Sequence, residues 1–332
     1  MIDKFLIVRL GSLGDLVHTL PAASALRRAY PSARIDWLVD APHREFLEMV
    51  PILTSLVVLT RRGAPGWLEA RRALRAREYD AAIDFQGLVK SAALARLSGA
   101  ARVIGFDRSA LRESLAAVFY SERVDVGEGL HVIRRNLRLA EFLGAPSATL
   151  DFPIGAVESA AVNAWLANDP HPFALLNPGA AWPNKRWPPE RLGAVAREVR
   201  ARHGLSSVVL WGPGEQTSAQ KVVEASDRAA RLAPPTGLRD LVALARHARL
   251  MVSGDTGPLH IAAALGVPAV WLFGPTDPAR NGPWDPSDAI VSQYASCRCH
   301  YQRRCRVAED WCLGHVSVDR VVTAVDERLG RC

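Results

Sequence analysis

Several things this sequence lacks narrow what it can be. Its opening, MIDKFLIVRLGSLGD, has an apolar run of only Phe5 to Val8 before an arginine and a glycine. That is too short for a membrane span or a signal-peptide core, so a cytoplasmic protein is expected. No segment repeats at a solenoid period, and a chain that is 49% hydrophobic and 23% charged is neither disordered nor fibrous. No basic strip is interleaved with aromatics in the way that stacks single-stranded bases, so no nucleic-acid partner is expected. Cysteine is absent until Cys297.

What is present begins with charge. A formal net charge of +7 suits an anionic partner, whether a phosphorylated substrate or an anionic membrane surface. Part of the excess lies in helical patterns such as RRALRAR, from Arg71 to Arg77, where a solvated helix face accounts for it better than a binding patch does. At 332 residues the chain exceeds one ordinary core and suits two domains.

Short apolar runs alternate with amphipathic stretches, the pattern of parallel sheets covered by helices. KFLIVRL, RIDWLVD, YDAAIDFQG and ARVIGF read as strands, and DLVHTLPAASALRRAY as one helix. After a Pro-, Gly- and Ser-containing stretch with a short helix near 157–167 the series restarts. PFALLNPG, SSVVLWGPG, RLMVSGD and PAVWLFGP are strands, and PPERLGAVAREVRARHG, LRDLVALARHA and GPLHIAAALG are helices. The expectation is an α/β chain of two doubly wound, Rossmann-like domains, 1–155 and 156–332, facing across a cleft at the carboxyl ends of their strands.

The chemistry-bearing residues follow strands. In RLGSLGDLVHTLPA, Gly11 and Gly14 permit a tight turn, and Asp15 begins a helix. An acid there would repel a pyrophosphate, which leaves Asp15 as either a helix cap or a general base. In NPGAAWPNKRWPPERL, Asn177 and Gly179 follow a strand and Lys185 offers a point charge to phosphate, in a loop stiffened by prolines and tryptophans. In SGDTGPLHIAAALG, Asp255, Thr256 and Gly257 meet a helix N-terminus, whose free N–H groups and dipole attract an anion. His260, one turn in, is either structural or a contact. Asp255 is read as the helix N-cap or an orienting residue, since a buried anion beside a phosphate would need Lys185 or His260 as a partner. Glu215 in LWGPGEQ is either a ribose-diol acceptor or a helix cap.

Cys297, Cys299, Cys305 and Cys312 cluster late, with His300 and His315 nearby and Cys332 apart. Cytoplasmic chemistry disfavours disulfides. Two readings stay open, a structural metal such as zinc or iron, and free or redox-active thiols; the spacing matches no standard zinc motif.

Taken together, LIVRLGSLGDLVHTLPAASALRRAYP, NPGAAWPNKRWP and SGDTGPLHIAAALGVPAVWLFGPTDP resemble the ADP-heptose:lipopolysaccharide heptosyltransferases, glycosyltransferase family 9, over nearly the whole chain. Asp36 in DWLV and the GDLVHTLPA stretch look most like the branch that acts on the Kdo-lipid A inner core. The resemblance implies a GT-B fold, with the acceptor held by the N-terminal domain and ADP-heptose by the C-terminal one. It implies inverting transfer with Asp15 as catalytic base and no cofactor required for the chemistry. It places the donor on Lys185, Asp255, Thr256, Gly257 and His260, to which Asn177, Gly179 and Glu215 are added from their positions after strands. An anionic glycolipid at the inner membrane surface is the implied acceptor, met by Ser12, His18, Arg61, Arg62 and Lys90. The cysteine-rich tail looks more like other family members, including protein heptosyltransferases, an alternative acceptor class. The remaining alternatives are another GT-B enzyme acting on UDP-sugars and a non-catalytic nucleotide-binding or redox protein.

Overall fold

The computed structural model describes residues 2–61, 63–306 and 311–330. Arg62 and Cys332 lie outside them. The chain forms two compact units, Met1–Gly155 and Ala156–Cys332.

In the first unit the strands are β1 (Lys4–Val8), β2 (Arg34–Asp40), β3 (Ser55–Leu59), β4 (Ala81–Asp84), β5 (Arg102–Phe106) and β6 (Glu122–Val124). The helices between and after them are α1 (Leu13–Val17), α2 (Leu20–Ala29), α3 (Arg44–Leu47), α4 (Ala64–Arg75), α5 (Val89–Leu97) and α6 (Val132–Phe142). All pairings are parallel, in the order β3-β2-β1-β4-β5-β6.

The second unit carries β7 (Phe173–Asn177), β8 (Ser206–Val209), β9 (Ala230–Leu232), β10 (Ala248–Gly254), β11 (Ala269–Phe273) and β12 (Ala289–Ser292). Its helices are α7 (Ala160–Ala167), α8 (Pro189–His203), α9 (Gln216–Glu224), α10 (Leu238–Ala245), α11 (Gly257–Ala264), α12 (Pro278–Asn281) and α13 (Val318–Leu329). Its parallel sheet runs β12-β11-β10-β7-β8-β9, which read from the other edge is the order of the first sheet.

This is the doubly wound order whose chain direction reverses beside the first strand, between β1 and β4 in one unit and between β7 and β10 in the other. The central strands β1 and β7 are buried along nearly their whole length, as parallel strands covered on both faces must be. Each sheet is sandwiched by helices. One core cluster packs Leu6, Val8 and Val103 against Leu74 and Leu94, and another packs Leu176 and Val252 against Val195, Val222 and Val325. The first helix expected from the sequence is two. Pro21, in the first turn of α2, has no N–H for the Val17 carbonyl, so the backbone breaks at His18 and Thr19. Helix α8 ends as expected on Gly204, whose φ of +68° is the left-handed cap conformation.

Candidate functional site

Ligands of doubly wound sheets bind beyond the carboxyl ends of the strands at the point of reversal, and the sequence-predicted residues gather there in each unit. In the first, the turn after β1 carries Asp15. Its Oδ1 lies 2.5 Å from Arg9 Nη2, and its Oδ2 accepts the Ser12 amide at 3.1 Å and the Ser12 hydroxyl at 3.0 Å. Asp15 thus closes the first turn of α1, and its side chain is still 38% exposed. Burial pushes its carboxyl up, but the Arg9 charge and the Ser12 hydrogen bonds outweigh burial and hold it below the ordinary carboxylate value.

The other residues assigned to this unit are placed differently. Ser12 spends its hydroxyl on Asp15. Lys90 Nζ stands 3.5 Å from Asp40, and Arg61 is exposed. His18 is 2% exposed, with its ring edge-on to His131 at 5.6 Å, so it packs in the interior.

In the second unit the turns after β7 and β10 meet. Lys185 Nζ is 2.6 Å from Asp255 Oδ2, while His260 Nε2 donates to Asp255 Oδ1 at 2.9 Å. Thr276, beyond β11, donates its hydroxyl to Oδ2 at 2.8 Å. Burial raises the Asp255 carboxyl, but the His260 hydrogen bond and the Lys185 charge reverse this and place it far below the usual range. A buried anion is tolerable only when paired and hydrogen-bonded, and here Lys185 pairs with Asp255 while His260 and Thr276 hydrogen-bond to it. The helix cap is not Asp255 but Thr256, the extended residue ahead of α11.

The meeting of the two turns depends on Gly254. A Cβ at that position would sit 2.6 Å from the Lys185 carbonyl oxygen, so a larger residue would push the lysine-bearing loop off the strand end. Trp187, 2% exposed, anchors the same loop by donating Nε1–H to the Val316 carbonyl at 3.2 Å. Lys185 also lies 4.8 Å over the Trp182 ring. The Asn177 amide donates to Ser253 Oγ and Thr256 Oγ1, both at 3.0 Å, and its oxygen accepts the Gly179 amide at 3.2 Å. Asn177 and Gly179 therefore brace the two turns against each other. Glu215, just ahead of α9, accepts the Gly212 amide at 3.1 Å and abuts Gly179.

The four described cysteines form one small cluster, Cys297, Cys299 and Cys312 buried and Cys305 against them. Cys299 and Cys305 sulfurs are 3.3 Å apart, and the amides of Cys299 and Arg306 donate to the sulfurs of Cys297 and Cys299 at 3.3 Å. Among the described residues, no group of three or more His, Cys, Asp or Glu side chains forms a ready metal cage.

Three residues of these sites were not foreseen. Arg9 acts on the carboxylate of its own turn, Thr276 on one that is distant in sequence, and Trp182 lies beneath Lys185. Only Arg9 had a local signal, a cation directly ahead of the glycine turn.

Comparison with known proteins decides the family. The model of glycosyltransferase family 9 (heptosyltransferase) matches residues 67–309. Lipopolysaccharide heptosyltransferase 1 of Pseudomonas aeruginosa is 32% identical over 91% of this chain and 87% of its own length. The chain belongs to glycosyltransferase family 9, the heptosyltransferases. Among solved structures, Escherichia coli heptosyltransferase WaaC with ADP is 27% identical, covers 98% of this chain and 99% of its own, and superposes with a TM-score of 0.79. The same enzyme with ADP-2-deoxy-2-fluoro heptose gives 0.77 at the same identity and coverage. The fold is accordingly GT-B, two Rossmann-like units, and the protein is a glycosyltransferase, as the sequence motifs imply.

Proposed function

We propose that this glycosyltransferase moves a heptose from ADP-heptose to the Kdo-lipid A inner core of lipopolysaccharide, with inversion at the anomeric carbon. The observation that carries the reading is the charged cluster of Lys185, Asp255 and His260 at the reversal point of the second sheet, in a chain similar to a lipopolysaccharide heptosyltransferase over nine-tenths of its length. An enzyme of similar fold holds ADP and a fluorinated ADP-heptose.

In this reading Asp15 takes the proton of the acceptor hydroxyl as its oxygen bonds to the anomeric carbon. The bond from that carbon to the diphosphate oxygen breaks, and its electron pair leaves with ADP. Lys185 and the free amides at the start of α11, with Thr256 and Gly257, stabilise the departing diphosphate. Asp255 and His260 act behind Lys185 by fixing its ammonium. Glu215 is assigned to the donor ribose, and Asn177 and Gly179 to the frame of the site. Ser12, Arg61 and Lys90 are assigned to the acceptor side, and buried His18 to packing.

No helix among the described residues is long and apolar enough to cross a membrane. We place the protein in the cytoplasm, meeting its anionic glycolipid at the surface of the inner membrane. Incubation with ADP-heptose and Kdo-lipid A, read by mass spectrometry of the lipid and release of ADP, tests the assignment. One heptose added per lipid supports it; transfer only to a protein acceptor, or only from a UDP-sugar, overturns it.

We further propose that the cysteine cluster serves structure and not chemistry, as a tetrathiolate site for zinc or iron. The clustering of four cysteines and the two amide donors to their sulfurs support this, and since the sulfurs do not form a ready cage, binding would have to draw them together around the metal. One metal atom per chain in protein purified without chelator supports it, and absence of metal with four freely titrating thiols among these positions overturns it.

A further inference from the structure

Arg9 has no role in the reading above, yet its placement is unusual. It follows β1 at the reversal point, and its side chain is 9% exposed. Its carbonyl accepts the indole N–H of Trp37, from β2, at 2.9 Å, and its Nη1 donates to the Phe85 carbonyl, beyond β4, at 2.5 Å. The residue is therefore pinned to both neighbours of β1. Its second terminal nitrogen is the one on Asp15 Oδ1. One end of this buried guanidinium is thus spent on a carboxylate more than a third exposed, at the mouth of the turn.

The donor count identifies what is left free. An ionised carboxylate offers about four acceptor positions. Ser12 fills two on Oδ2 and Arg9 fills one on Oδ1, so the remaining position is on Oδ1. We propose that Arg9 is the positioning residue of the transfer reaction: braced on the Phe85 carbonyl, it fixes the Asp15 carboxylate so that the remaining Oδ1 position receives the acceptor proton. The proposal rests on Asp15 being the base. Arg9 touches neither substrate; it sets the orientation and the charge state of the group that does.

Other groups also face Asp15. The His43 ring, from the turn after β2, lies against Gly11, where an added Cβ would be 2.7 Å from Nε2. Burial lowers the His43 pKa against the opposing pull of Asp40 and Asp15. Asp40 in turn pairs with Lys90 of α5 at 3.5 Å. A neutral imidazole and a carboxylate with its own cation leave Arg9 as the nearest charge acting on Asp15. The sign follows. A cation beside a carboxylate favours the ionised form, so removing it raises the Asp15 pKa and narrows the range in which the base is active.

The test is the pH profile of kcat/KM for sugar transfer in the wild type, Arg9→Met, Arg9→Lys, His43→Gln and Asp15→Asn proteins, with thermal melting to check each fold. Arg9→Met is expected to lower kcat about 10- to 100-fold through a misplaced base, with donor KM unchanged, and to move the acid limb to higher pH. Arg9→Lys keeps the charge but not the two-point fork, so its acid limb stays near that of the wild type while kcat recovers in part. It also carries the test if the methionine protein does not fold. An acid limb that follows His43 and not Arg9, or a folded Arg9→Met protein with wild-type kcat and limb, overturns the proposal. Loss of turnover in Asp15→Asn alongside such a result shows that the base assignment stands and only the role of Arg9 falls. Full turnover in Asp15→Asn removes the base assignment itself.

Discussion

Replacing Lys185 by methionine keeps most of the side-chain stem over Trp182 and removes only the charge. Two effects follow from the geometry. In the free protein the ammonium is 2.6 Å from Asp255 Oδ2, so its loss strips one of three donors from a carboxylate that is 7% exposed. His260 and Thr276 keep their hydrogen bonds, but the buried carboxylate loses its ammonium, so the stability cost should be that of a broken buried ion pair, about 3–5 kcal/mol. In the complex a charge-assisted contact to the diphosphate is worth about 1.5–3 kcal/mol, roughly 10- to 150-fold in Kd. Because Asp255 shares the same ammonium, the loss should fall in the lower part of that range. Calorimetric titration with ADP, with urea unfolding of the free protein, measures both. ADP affinity unchanged in a folded Lys185→Met protein would refute the diphosphate assignment. A double variant with Asp255→Asn should recover part of the stability and none of the affinity, because it removes the buried anion without restoring the cation.

Two further outcomes are expected. Asp15→Asn should bind ADP normally, since the donor residues lie in the other unit, and turn over about 10²- to 10⁴-fold more slowly, as measured by ADP release. Asp36 is fully buried; burial raises its carboxyl, but hydrogen bonds from Tyr79, Arg77, Ser55 and Arg34 hold it below its ordinary value. Its contribution to stability is therefore present above the unfolded carboxyl pKa of about 3.9 and lost as pH falls below it. Arg77→Met should cost about 1.5–3 kcal/mol at neutral pH by urea unfolding, and the gap to the wild type should shrink in acid; a gap independent of pH would count against the ion pair as its source.

The site motifs were legible because each is local: a strand, a glycine or proline turn and a helix start occupy a dozen residues, and the polar residues among them have nowhere to point but beyond the strand end. The pairing of Asp255 with Lys185 and His260 followed from charge, since a buried acid at an anion site needs a cation.

The eight strands that the apolar runs announced are the eight inner strands, covered on both faces. The four that went unannounced, β3, β6, β9 and β12, are the four sheet edges. Their burial is patchy, as in Glu122–Val124 and Ala289–Ser292, because an edge strand has a neighbour on one side only and needs no continuous apolar run. The division of α1 from α2 turned on which carbonyl Pro21 leaves unpaired, and the cap of α11 on which residue takes the extended backbone. Local sequence thus fixed the inner strands, the loops between them and the residue types they present. Which groups distant in sequence meet was decided by tertiary structure alone. Arg9 meets the Phe85 carbonyl only because β1 lies beside β4, and Thr276 meets Asp255 only because β11 lies beside β10; hydrogen bonds over a few ångströms depend on strand order, which no local window contains.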